Sequence, residues 1–237
     1  MKRIFFETDE IYHVYNRGTD KRDIFLEKSD YAKFLDYLVD FNNLKPIDKE
    51  KLKEERRKSL KRGQALECLD IEDDPLVDVL GFCLMPNHFH LLLRQRMDGG
   101  IAKFIQRVAT GYVMVFNTKQ KRSGCLFQGR FKATHINTQE YLDYLIFYIH
   151  FNPLSLIRNS WLNDKKLLID FLAEYQWSSH IDYLSMDETS NSPIEKSFFY
   201  DNFKNNKVYM KKSKEWLEII QEKNKMKEFI AKAIDYE

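Results

Sequence analysis

Apolar positions along this chain change their period several times, and each change marks an element. From Ile11 to Asn16 they alternate, with Tyr12, Val14 and Asn16 on one side. This predicts a first strand, closed by the turn Arg17-Gly18-Thr19-Asp20. Tyr31, Phe34, Leu35, Leu38, Val39 and Phe41 then recur at helical spacing, behind Ser29-Asp30 as an N-cap. Leu76 to Leu84 is dense in apolar and β-branched residues and predicts a buried strand. Pro86-Asn87 is a turn, and His88 to Arg94 completes a hairpin. Ile101, Phe104, Ile105, Val108, Tyr112, Val113 and Phe116 form one face of a second helix. Tyr112, on that face, reads as core. An extended segment follows from Cys125 to His135, then a helix from about Glu140, capped by Asn137 or Thr138. Strand, helix, two hairpin strands, helix, strand, helix implies an α+β fold, with helices packed on a mostly antiparallel sheet.

Two segments break this rhythm. Asp48 to Arg62 is almost wholly charged, with mixed signs at helical pairing distances, and predicts an exposed helical insertion over about 44–75. Glu188 to Pro193 reads as a polar linker, followed by helices of mixed charge. The expected organisation is therefore one domain over 1–187 and a helical extension over 188–237. With 237 residues and 43% hydrophobic content, the chain can bury one sizeable core. No apolar run reaches the roughly 20 residues of a membrane span, and the N-terminus lacks a signal-peptide core. Cys68, Cys83 and Cys125 are scattered, which argues against a disulfide framework or a thiolate zinc site and favours the cytoplasm.

Net charge is only +2, but its distribution is uneven. Gly99 to Gln139 contains no Asp or Glu, while Lys103, Arg107, Lys119, Lys121, Arg122, Arg130 and Lys132 all fall there. Such a stripe is the footprint expected for a phosphate backbone.

The chemistry concentrates in two stretches. Leu84-Met85-Pro86-Asn87-His88-Phe89-His90-Leu91, as a strand, puts His88 and His90 on one face and turns Phe89 and Leu91 into a core. A lone His-x-His more often serves only hydrogen bonding in a sheet. The second stretch, Glu140 to Pro153, places Tyr148 and Asn152 four apart on a helix, so a phenol and an amide oxygen can face one metal beside the histidines. Pro153 disfavours α geometry at Asn152, so the helix is expected to kink or end there. His135 and His150 are read as structural or phosphate-contacting residues.

Met85-Pro86-Asn87-His88-Phe89-His90, followed by Tyr148-Ile-His-Phe-Asn152-Pro153, resembles the single-tyrosine HUH transposases. These comprise the insertion-sequence type and the REP-associated tyrosine transposases. Tyr12 to Gly18, Phe127-Gln-Gly-Arg130-Phe-Lys132 and Trp177-Ser-Ser match in the same order. The resemblance implies a ferredoxin-like, RRM-like sheet of the HUH endonuclease type. It implies Tyr148 as nucleophile, with His88, His90 and Asn152 holding Mg²⁺ or Mn²⁺. Tyr141 and Tyr144 are rival nucleophiles that do not fit the Tyr-Ile-x-x-Asn-Pro spacing. The implied substrate is single-stranded, hairpin-containing DNA, cleaved and rejoined through a 5′-phosphotyrosine. Arg17, Lys121, Arg122, Arg130 and Lys132 are the expected DNA contacts. Family members occur as homodimers that exchange the tyrosine helix and as monomers, and both stay open for this chain. The alternatives are a regulator that keeps the fold without cleaving, and a hydrolase that activates water.

Overall fold

The computed structural model describes residues 5–44, 74–157, 164–186 and 192–222. The charged insertion expected over about 44–75 lies almost wholly outside the described residues, as does Trp161. Four strands, β1 (Ile11–Arg17), β2 (Val77–Met85), β3 (His88–Gln95) and β4 (Lys132–Ile136), form one antiparallel sheet in the order β2-β3-β1-β4. Helix α1 (Lys28–Asp40) connects β1 to β2, and α2 (Gly100–Lys119) connects β3 to β4. This is the ferredoxin-like βαββαβ arrangement. The remaining described helices are α3 (Gln139–Phe151), α4 (Lys165–Glu174), α5 (His180–Ser185), α6 (Lys196–Phe203) and α7 (Asn206–Glu222).

Strand alternation divides the sheet into two faces with different tasks. Tyr12, Val14, Phe89, Leu91 and Leu93 meet α1 and α2 on one side, where Phe34 of α1 lies 5.0 Å from Phe89 and 5.2 Å from Tyr112, ring centroid to centroid. Tyr112 is core, and its hydroxyl donates to the Ile24 carbonyl. The opposite face carries His13, Tyr15 and Arg17 from β1 and His88 and His90 from β3, and α3 packs across it.

β2 is buried along its whole length because both faces and its outer edge are covered. Along that edge, Leu84 N–H donates to Trp177 O at 2.8 Å, Ser179 N–H to Phe82 O at 3.0 Å and Glu195 N–H to Val79 O at 2.8 Å. A strand covered on both faces reads as a continuous apolar run, as this one does. Residues of α6 and α7, among them Phe199, Phe203, Tyr209 and Leu217, belong to the same apolar cluster as the sheet.

Helix α1 begins two to three residues earlier than Ser29-Asp30 suggests. Glu27 is its N-cap, joined to Asp30 in a reciprocal capping box. Lys119, at the end of α2, reaches both carboxylates at 2.5 Å. Thr138 caps α3, its hydroxyl oxygen accepting Tyr141 N–H at 3.1 Å.

Gly18 fixes where β1 leaves the sheet. Its N–H donates to Asn87 O at 2.9 Å, and an added Cβ would lie 2.2 Å from the Arg22 carbonyl oxygen. That neighbour is backbone and cannot step aside cheaply. Gly18→Ala should lower stability by about 1–3 kcal/mol, read as a reduced urea midpoint; an unchanged midpoint would show that the turn yields.

Candidate active site

The site is built where α3 crosses β3. His88 and His90 leave the same face of β3 and are 4% and 1% exposed. Asn152 caps the C-terminus of α3 and is fully buried. It keeps right-handed helical geometry, φ −52° and ψ −36°, although Pro153 follows. The chain tightens there into a 3₁₀ turn over Asn152–Leu156, with the proline at its start, where a missing N–H costs least. The four-residue spacing between Tyr148 and Asn152 therefore survives. Asn152 sets its amide between the two imidazoles. Oδ1 lies 3.2 Å from His88 Nε2, and Nδ2 lies 3.4 Å from His90 Nε2.

Hydrogen bonding settles the tautomers. Asn87 Nδ2 donates to the Lys21 carbonyl at 3.3 Å, which turns Asn87 Oδ1 toward His88 Nδ1 at 2.6 Å. His88 therefore carries its proton on Nδ1 and presents the Nε2 lone pair to Asn152 Oδ1. On the same strand, the Asn152 Nδ2–H beside His90 Nε2 makes that nitrogen an acceptor, which leaves His90 Nδ1–H to donate to His13 Nε2 at 2.9 Å. Two acceptors facing each other at 3.2 Å are an arrangement that a cation between them satisfies. Donors ~2.1 Å from one ion stand roughly 3.0–3.4 Å apart. That spacing fits His88 Nε2 and Asn152 Oδ1 as two ligands of one divalent cation, with His90 Nε2 beside the same amide, 3.4 Å from its nitrogen. Among the described residues no three His, Cys, Asp or Glu side chains form a metal cluster.

Tyr148 is 2% exposed, and its ring stands edge-on to His90 at 5.8 Å and to His13 at 6.3 Å. Tyr144 stacks on Tyr148 at 6.0 Å, and Tyr141 stacks on Tyr144 at 6.4 Å. The three tyrosines form a ladder along α3 in which Tyr148 is the rung beside the histidines. Tyr144 faces Trp216 of α7 at 5.7 Å and is 37% exposed.

The basic residues separate into groups. Arg17 is 7% exposed, pairs in register with His88, and adds its charge to the forces holding that imidazole neutral. Leu126 to Gln128 is tied to the end of β1 through Thr19 N–H to Leu126 O and Gln128 N–H to Arg17 O, both 2.9 Å. That tie brings exposed Arg130 and Lys132 to the same side as Arg17. Lys132 Nζ lies 5.8 Å from the Tyr15 ring centroid, and Tyr15 in turn stacks on His13 at 5.0 Å. Lys121 and Arg122 follow α2, the helix on the opposite face, and Arg122 donates to the Cys125 carbonyl at 3.0 Å. Two further cations of the stripe serve the scaffold. Lys119 joins the α1 cap, and Arg107 donates to the carbonyls of Asn43 and Leu44. His135 pairs with Glu10 at 2.7 Å, and His150 turns away from the site.

His13 is the site residue that sequence reasoning missed. Its signal was weak: a single histidine on the face of β1 opposite Tyr12 and Val14. Only the pairing of β1 with β3 sets it beside His90.

Burial pulls His13 down to about 3 and His88 to about 4, and holds His90 well below the usual histidine value, with the neighbouring imidazoles adding to the effect. Burial also lowers His180 to about 4 and depresses His150 strongly. All five are neutral near pH 7.

Residues 53–152 match the family model described as IS200-like transposase, a span containing both histidines, Tyr148 and Asn152. A solved REP-associated tyrosine transposase bound to a REP hairpin is 12% identical, with a TM-score of 0.45. The comparison covers 82% of this chain and 96% of that one. No curated protein matches the sequence. Among the described residues no helix is long and apolar enough to cross a membrane.

The depressed histidines make a stability prediction. Each binds a proton more readily unfolded, near 6.5, than folded, so its contribution is complete above pH 6.5 and is lost as pH falls toward 4. Each contributes a slope of ~1.4 kcal/mol per pH unit in that window. Asp182, raised by burial to about 6, has the opposite sign and offsets about one of them. Urea midpoints of chelator-treated protein should therefore fall steeply from pH 7 to pH 5, whereas a flat profile would mean that these imidazoles are solvated. Residues 53–152, where this two-histidine strand and its tyrosine helix meet, are similar to the IS200-like transposases.

Proposed function

We propose that this chain cleaves and rejoins single-stranded DNA by transesterification, with Tyr148 as the nucleophile. One observation carries the reading: of the three tyrosines along α3, Tyr148 is the one set edge-on to His90 and His13, one helical turn from the amide that stands between His88 and His90.

In the proposed step the Tyr148 oxygen attacks a backbone phosphorus and the bond to the 3′ oxygen breaks. The phenol loses its proton, and the departing 3′ oxygen gains one to become a hydroxyl. A 5′-phosphotyrosine remains, keeping the phosphodiester's energy for rejoining. His88, His90 and Asn152 would hold Mg²⁺ or Mn²⁺, which when bound supplies Lewis-acid polarisation of the scissile phosphate.

The chain's own residues supply placement. His13, by accepting the His90 Nδ1 proton, keeps the Nε2 lone pair aimed at Asn152, and Asn87 does the same for His88. Arg17 stands beside His88, where a phosphate oxygen bound at the site would meet its guanidinium. Tyr15 offers a flat ring on the sheet face next to Lys132, suited to a base and its phosphate on a passing single strand. Arg130 extends the same basic edge. Lys121 and Arg122 lie farther around, where they would meet DNA beyond the reacting phosphate. The hairpin preference rests on the family alone. A regulator that binds without cleaving is the other outcome of the test below.

Purified protein with a labelled single-stranded hairpin and Mn²⁺ should give a covalent adduct stable on a denaturing gel. Tyr148→Phe and His88→Ala should each abolish it. Cleavage without an adduct would replace the tyrosine mechanism with hydrolysis by water. Binding without either would leave a regulator. Separately, His13→Leu should weaken Mn²⁺ binding by roughly 10–100-fold, measured calorimetrically, with His13→Gln recovering part of the loss through its amide oxygen. Equal affinities in all three proteins would remove His13 from the site.

A further inference from the structure

We propose that Tyr209, on the C-terminal helix α7, is a positioning residue that locks the rotation of α3 and so places Tyr148 and Asn152 over the histidines.

His150 sits on α3 midway between these two residues, two positions from each. At 3.6 residues per turn, a separation of two turns it about 200° away, onto the opposite side of the helix. There its ring is held at both nitrogens. Nδ1 lies 2.6 Å from Tyr209 Oη, and Nε2 lies 2.7 Å from Ser179 Oγ. The same Tyr209 oxygen lies 2.6 Å from His180 Nδ1. Ser179 Oγ accepts the Phe82 N–H at 2.8 Å and stands 3.2 Å from the Phe82 carbonyl. The network therefore runs from the backbone of β2, through Ser179, to α3, on to α7 and back to the start of α5. Ser179 and Tyr209 are fully buried, and His150 and His180 are 1% and 4% exposed.

Proton bookkeeping shows why the phenol is needed. In one arrangement Ser179 donates to the Phe82 carbonyl, His150 Nε2–H donates to Ser179, Tyr209 donates to His150 Nδ1, and His180 Nδ1–H donates to Tyr209. In the other, Ser179 donates to His150 Nε2, His150 Nδ1–H donates to Tyr209, and Tyr209 donates to His180 Nδ1. Both close with every ring neutral; the second gives up only the Ser179 hydroxyl's bond to the Phe82 carbonyl, which still accepts Ser179 N–H. A hydroxyl, with one proton and an accepting oxygen, is what allows two Nδ1 atoms to share one partner. Removing it leaves buried polar atoms unmatched, since the surroundings are the rings of Phe147, Tyr183 and Phe203, at 5.7, 5.1 and 5.1 Å from the Tyr209 ring. The relief nearest to hand is a shift of α3, the element that also carries the nucleophile. Displacement of reacting groups by about 1 Å can lower a rate about 100-fold. Tyr209 also lies outside residues 53–152, so the lock belongs to this chain's C-terminal helices and not to the matched family segment.

The inference rests on the proposed function for its rate readout, and a second readout stands apart from that function. Tyr209→Phe would be compared, in the full chain, with Phe199→Leu, which trims apolar packing beside the Tyr209 ring, 6.4 Å away, and takes away none of the network's hydrogen bonds. Single-turnover adduct formation at saturating hairpin DNA should fall at least tenfold in Y209F, with DNA affinity unchanged, and should hold near wild type in F199L even where both lose thermal stability. Hydrogen exchange should accelerate over the last turns of α3 in Y209F and not in F199L. Wild-type exchange there in Y209F overturns the inference, as does an equal acceleration in both variants. Absence of an adduct in the wild type sinks the proposed reaction, and hydrogen exchange still decides the lock.

Discussion

The contact on which this molecule depends is the meeting of Asn152 with the two histidines of β3. A helix end and a strand come close enough for one amide to stand 3.2 Å and 3.4 Å from two imidazole nitrogens. That contact can form only if α3 lies across the sheet at a fixed height and rotation. The rest of the structure supplies these constraints. β2 and its covered edge give α3 a buried bed, and the Pro153 turn ends the helix without displacing Asn152. Tyr148, one turn back, takes its position from the same geometry.

The sheet separates stability from chemistry by its two faces. Phe89, Leu91 and Leu93 look toward α1 and α2 and are packed as core, so β3 is held rigid by residues that alternate with the histidines. Rigid placement is what a metal-ligating pair needs, because ligand orientation cannot be recovered by flexible loops. The chemical face is correspondingly rich in buried imidazole. Such groups are tolerated in an apolar interior only when neutral and hydrogen-bonded. His13, Asn87, Ser179 and Tyr209 are the partners that satisfy this condition. The C-terminal helices therefore do more than cover the fold: they complete the polar bonding behind α3.

Much of this was legible in the sequence because the informative patterns are local. Period-two spacing put His88 and His90 on one face, and i,i+4 spacing joined Tyr148 to Asn152. Helical geometry at Asn152 was harder, since Pro153 argues against it; the proline becomes harmless by opening a new 3₁₀ turn. His13 was not legible, because its meeting with His90 depends on the register of two strands far apart in sequence, and alternation alone does not fix a register. Tyr209 was hidden because its partners, His150 and His180, lie on other helices that only the tertiary fold brings to it. The basic stripe shows the reverse limitation. A count of cations does not say which are engaged, and Lys119 and Arg107 turned out to hold α1 and the chain after it. Arg17, expected from the sequence as a DNA contact at a turn, lies buried beside His88.

The central claim is that one particular oxygen carries the DNA. Trypsin places Tyr141, Tyr144 and Tyr148 in a single peptide, Ala133 to Arg158. The adduct formed with a single-stranded hairpin and Mn²⁺ would be digested with trypsin and nuclease, and the peptide fragmented in a mass spectrometer. The account predicts a nucleotide phosphate on Tyr148, with Tyr141 and Tyr144 unmodified. A phosphate on either of those residues, or on a side chain outside this peptide, would contradict it.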